Sequence, residues 1–137
     1  MGDRTRLIIE VLESDRHRVV DALDLPSDEY CESGDPRTIR LVFDEVDCGD
    51  LKLLSDLART GLVFRGRHCE GDEYYGMTFA ASDGVYALTP SPFGELMVRI
   101  DPETLEASAS DLAAARDWRD IDNRVCAYFA SRGQAAG

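Results

Sequence analysis

Apolar and polar positions alternate in two ways along this chain, and the change between them marks its elements. Thr5 to Glu13, TRLIIEVLE, is dense in branched apolar residues and predicts a strand. Ser14 then stands as a helix N-cap before DRHRVVDALDL, with Val19, Val20 and Leu23 as the buried stripe and Pro26 as the stop. Asp28 to Pro36 reads as a polar loop. Arg37 to Asp47, RTIRLVFDEVD, predicts a second strand with Ile39, Leu41 and Phe43 turned inward. Asp47 caps the next helix, GDLKLLSDLART. Its Leu51, Leu54, Leu57 and Ala58 recur at spacings of three and four, and Gly61 suits its left-handed end.

From Leu62 to Ile100 helical periodicity is absent. LVFRGRH, YYGMTFAA, VYALTP and ELMVRI read as four antiparallel strands. SDG between the second and third is a hairpin turn, because its glycine accepts the positive φ that tight turns require. DPET is another turn. The chain closes with a long helix capped by Ser110 or Asp111. Leu112, Ala115, Trp118, Ile121, Val125, Tyr128 and Phe129 lie on one stripe, to about Ser131. The order β-α-β-α-β-β-β-β-α predicts an α+β two-layer domain, mostly antiparallel, packed against that helix. The chain has 137 residues and is 44% hydrophobic, which fits one domain with an ordered core of about residues 5–131.

Charge changes the picture more than composition does. Asp and Glu number 27 against 15 Lys and Arg, a formal net charge of −12. That disfavours direct nucleic-acid binding, which needs basic residues against phosphates, and adhesion to an anionic membrane. Two thirds of the net charge falls within thirty residues. Asp21, Asp24, Asp28, Glu29, Glu32, Asp35, Asp44, Glu45, Asp47 and Asp50 face only Arg37 and Arg40 there. If the loop folds beside the strand end, these ten carboxylates form an acidic ridge. Such a face suits a basic, nucleic-acid-binding surface on a protein partner, with long-range attraction speeding the encounter. The leading expectation is therefore a non-enzymatic antagonist that blocks a macromolecular partner, as nucleic-acid mimics do. Small acidic anti-CRISPR, anti-restriction and toxin-immunity proteins offer an analogy of size and charge.

Candidate chemistry is sparse. RGRHCEGDEYYG, Arg65 to Gly76, gathers His68, Cys69, Glu70, Asp72, Glu73, Tyr74 and Tyr75. The alternative expectation is a small enzyme or metal-binding domain using the hairpin Arg65 to Tyr75, with His68 and Glu70 on one face of the strand as base and orienting carboxylate. His68 and Cys69, as neighbours, point to opposite faces. Cys31, Cys48, Cys69 and Cys126 contain no CxxC pair, so zinc of the usual spacing is not expected. No phosphate-binding glycine loop and no GxSxG occurs, and no cofactor or catalytic residue is assigned. The acidic pairs around Asp117 and Asp120 read as a solvated helix face, and Trp118 reads as core. The first residues lack a signal-peptide pattern, and no apolar run reaches membrane-spanning length. The expectation is a cytoplasmic protein with reduced thiols, monomeric or, as a structural or adaptor domain, a homodimer.

Overall fold

The computed structural model describes residues 4–24, 27–31, 38–47, 51–69, 76–92 and 95–136. Its centre is a six-stranded antiparallel sheet. The strands are β1 (Arg4–Leu12), β2 (Asp28–Cys31), β3 (Thr38–Asp47), β4 (Phe64–His68), β5 (Met77–Ser82) and β6 (Val85–Pro90), in the spatial order β2-β3-β1-β4-β5-β6. The first strand is thus central: Ile9 lies opposite Leu41 on one side and Gly66 on the other.

Alternation along the strands sorts the side chains into two layers. Leu7, Ile9 and Val11 of β1 join Ile39, Leu41 and Phe43 of β3 and Phe64, Phe79 and Ala81 on one face. Two helices cover that face, α1 (Arg16–Leu23) through Val19 and Leu23, and α2 (Leu51–Arg59) through Leu54, Leu57 and Ala58. The opposite face carries Leu12, Val63 and Ala80 against Ile121, Val125 and Phe129 of the long α3 (Ala109–Ala136). The fold is α+β, and the C-terminal helix packs against the sheet as its stripe predicts. That helix lies over β4, β5 and β6, while Ile8 and Val42 on the other half of this face stay only half-buried. None of the described helices is long and apolar enough to cross a membrane.

Several local expectations are corrected. Residues 28–31 form the edge strand β2 rather than a loop, because β3 presents a free edge that backbone bonds from this segment satisfy. ELMVRI is not a strand of the sheet. The strand order ends at β6, and only an isolated bridge, Ile100 to Ala107, remains there. Ser14 sits within a 3₁₀ turn (Glu13–Asp15) that precedes α1, and Asp15 occupies the cap position without a side-chain capping bond. The cap of α3 moves to Ser108, whose hydroxyl accepts the Asp111 N–H at 3.3 Å. Asp47 is the last residue of β3, and the residues between it and α2 lie outside the described residues. The SDG turn has positive φ at Asp83 (56°) and Gly84 (80°), the geometry that matches strand twist in a two-residue hairpin.

Candidate functional site

The described part of the acidic stretch gathers around the β2 edge. Asp21 is exposed on α1, and Asp24 follows the helix as its left-handed terminal residue, with φ 51°. Asp28 opens β2 opposite Val42. Asp44 lies two residues beyond Val42, so Asp28 and Asp44 share a face as diagonal neighbours, a relation that places residues about 7–8 Å apart. Both are exposed. Glu29, opposite Leu41, belongs to the other face and turns toward α1, where Arg16 Nε donates to its carboxylate at 2.6 Å. Asp44 has Arg6 at 3.3 Å. The carboxylates therefore occupy both faces of one sheet edge, and two of them are partly neutralised by arginines. Glu45 and Asp47 continue β3. Glu32, Asp35 and Asp50 lie outside the described residues.

The hairpin beginning at Arg65 divides differently. His68 is the last residue of β4, between Leu7 and Met77 in register, and is only 4% exposed. Burial pushes its pKa below the usual imidazole value, which favours the neutral ring. The imidazole is a core side chain. Cys69 follows half-buried, with its N–H donating to the Arg6 carbonyl at 2.9 Å. Glu70, Asp72, Glu73, Tyr74 and Tyr75 lie outside the described residues, so the proposed pairing of His68 with Glu70 does too. Among the described residues no three His, Cys, Asp or Glu side chains form a possible metal-ligand group.

A concave surface lies elsewhere, where α3 leaves half of a sheet face uncovered. A groove of about 460 Å³ runs between β1, β3 and β4 and the helix. Ile8, Leu96 and Trp118 supply apolar lining, and Arg40, Arg65 and Arg67 face Glu10 and Asp122. Strand register explains the charged cluster. Glu10 stands directly opposite Arg40 on one side and Arg65 on the other, so all three project from one face. Arg65 bonds Asp122 through both Nε and Nη2, at 2.6 and 3.2 Å, and has Glu10 at 3.7 Å. Arg67 is exposed, with no ion-pair partner among the described residues.

Reading Trp118 as core captures half of its role: it packs beside Ile121, Val125 and Phe129 and also walls the groove. The groove has no local signature in the sequence. One signal was present in Asp122, a carboxylate four residues from Trp118 and beside Ile121 on the apolar stripe. A charge there requires a buried partner, because an unpaired carboxylate on a packed surface is costly. What Asp122 could not show is that the partner comes from β4, 57 residues earlier.

Comparison of the chain with protein-family models, with curated proteins and with solved structures finds no match.

Proposed function

We propose that this chain is a non-enzymatic protein that binds and blocks a macromolecular partner, docking its acidic β2 edge against a basic surface. The observation that carries this reading is the pairing of an open edge strand with exposed carboxylates. Strand β2 ends the sheet, Asp28 on it and Asp44 on β3 share one face, and Asp21 and Asp24 lie just before it on α1. An edge strand is a liability for aggregation, and charge is the usual protection. Protection alone needs one or two charges, whereas this protein places two thirds of a net −12 in residues 21–50. A partner surface that binds nucleic acid is the natural complement, since carboxylates a few ångströms apart resemble a phosphate backbone. In that case the protein acts as a nucleic-acid mimic, an inhibitor of the anti-CRISPR, anti-restriction or toxin-immunity kind.

The test is charge reversal at exposed positions. Wild-type protein immobilised at low salt should retain a basic protein from its host's extract and release it as salt rises. Asp28→Lys with Asp44→Lys should retain far less. Equal retention and equal salt dependence in the reversed variant would defeat the reading.

A further inference from the structure

The connection between β6 and α3 carries a small, exposed finger. Backbone bonds close it. Asp101 N–H donates to the Glu106 carbonyl at 2.9 Å, Leu105 N–H to the Asp101 carbonyl at 2.8 Å, and Ser108 N–H to the Arg99 carbonyl at 2.8 Å. The Asp101 carboxylate accepts the Glu103 N–H at 2.8 Å, tightening the turn. At the base, Arg99 Nε and Nη2 both donate to Asp111 of α3, at 2.8 and 3.0 Å. The finger is thus internally bonded, yet residues 99–107 are all exposed.

Its apolar content is the anomaly. Ile100 is 60% exposed and Leu105 is 76% exposed. Leu105 also has φ 61°, a left-handed conformation that glycine or asparagine adopts at less cost. A leucine in this backbone conformation with its side chain in water buries little apolar surface to offset the strain. Strain of this kind is found where a side chain is presented to something else. Asp101, Glu103 and Glu106 share this segment with the two apolar side chains, and residues 100–107 contain no basic residue. The complement is an apolar socket with a cationic rim.

The chain carries such a socket itself. Its groove sets Ile8, Leu96 and Trp118 beside Arg67, which is exposed and has no ion-pair partner among the described residues, while Arg65 is already held by Asp122 and Glu10. Its volume lies in the range that accepts drug-sized ligands, sufficient for two apolar side chains. Leu96, on the groove wall, precedes Ile100 of the finger by four residues, so a short segment joins acceptor and donor. A two-fold contact presents the same finger and groove on both copies, so each can serve the other. We propose that the 100–107 finger of one copy docks into the groove of a second copy, with Leu105 and Ile100 on the apolar lining and the finger's carboxylates toward Arg67. Two such contacts per dimer double the area that one would bury, toward the roughly 1,200 Å² of a specific interface. This goes beyond the acidic-edge reading and uses different residues, so charge reversal on β2 and β3 does not test it and the two stand or fall separately.

Sedimentation velocity over a dilution series tests it, with the emission of Trp118, the only tryptophan, as a second readout. The expected result is a concentration-dependent rise from monomer to dimer mass, with the Trp118 emission shifting over the same range. Leu105→Gly keeps the backbone geometry while removing the side chain, and should fold normally while weakening association about tenfold or more. Arg67→Glu should weaken it similarly, and adding Glu103→Arg to that variant should restore it. A wild type that stays monomeric throughout overturns the proposal. So does association that survives Leu105→Gly, which would place the contact elsewhere, for instance on an edge strand.

Discussion

Arg65 of β4 and Asp122 of α3 hold each other by a forked pair of hydrogen bonds, 2.6 and 3.2 Å, that ties the sheet to the helix beside the groove. Asp122 is 9% exposed, and this arginine supplies both of its hydrogen-bond donors across the junction. Asp122→Ala leaves Arg65 with only the longer contact to Glu10, and should cost about 2–3 kcal/mol. Replacing both partners by apolar residues, Arg65→Met with Asp122→Leu, should cost much less, because no uncompensated charge remains. Urea denaturation of the two variants beside wild type checks the difference. Equal losses would mean that packing, rather than the ion pair, sets the stability of this junction.

Gly66 sits in the middle of β4, where a glycine weakens a strand unless space demands it. Space demands it here. A Cβ would lie 2.0 Å from the Ile8 carbonyl oxygen and 3.0 Å from the Phe79 ring. The nearer atom is backbone of the central strand and cannot swing aside. Gly66→Ala should therefore force β1 and β4 apart, costing about 3 kcal/mol or preventing folding. Denaturation midpoints and soluble yield report this. A variant within about 0.5 kcal/mol of wild type would show that β1 shifts freely at Ile8.

Much of this fold is legible in the sequence, and what is not has identifiable causes. Period-two runs such as TIRLVFDEVD and period-3.6 runs such as the α3 stripe state their own burial, because each needs only one apolar face. Residues 28–31, DEYC, carry no apolar alternation. They become a strand because β3 leaves its backbone groups unpaired, a tertiary reason that local pattern does not contain. ELMVRI has the composition of a strand, but the sheet is already complete at β6, and the segment passes into the finger instead. The acidic stretch was legible as a charge excess and not as a surface. Which carboxylates share a face depends on register, and register puts Asp28 with Asp44 while sending Glu29 to Arg16. The groove was less legible still, since Glu10, Arg65 and Asp122 meet only after β1, β4 and α3 are assembled.

Acid should loosen the base of the finger only as pH falls toward 2. The side chain and backbone N–H of Arg99 both donate to Asp111 and hold its carboxyl down to about 2, against an ordinary value of 3.8. A depressed folded-state pKa means that the unfolded chain binds the proton more readily. The stabilisation is therefore fully present above about pH 4 and is lost as pH falls toward 2. Carboxyl chemical shifts followed by NMR should show Asp111 titrating near 2, with Arg99 side-chain signals moving in step. Asp111→Asn should remove that transition. A titration midpoint for Asp111 near 4 would show that the Arg99 fork does not persist in solution.

Asp24 joins the fold to the proposed function, because its position is poor for stability on two counts. It ends α1 with φ 51°, where an L side chain is strained and glycine is not. Its charge also faces the negative end of the helix dipole. Asp24→Gly should raise stability by about 1 kcal/mol, and Asp24→Asn by less, since asparagine removes the charge but keeps most of the strain. If the β2 edge docks on a basic partner, both variants should bind it more weakly despite folding more stably. Thermal denaturation gives the first quantity, and salt-dependent retention of the partner gives the second. A gain in stability with unchanged retention would place Asp24 outside the docking surface. A loss of stability would instead mean that the aspartate makes a compensating contact at the end of α1. The opposing signs matter because a residue kept only for folding should not improve folding when it is removed.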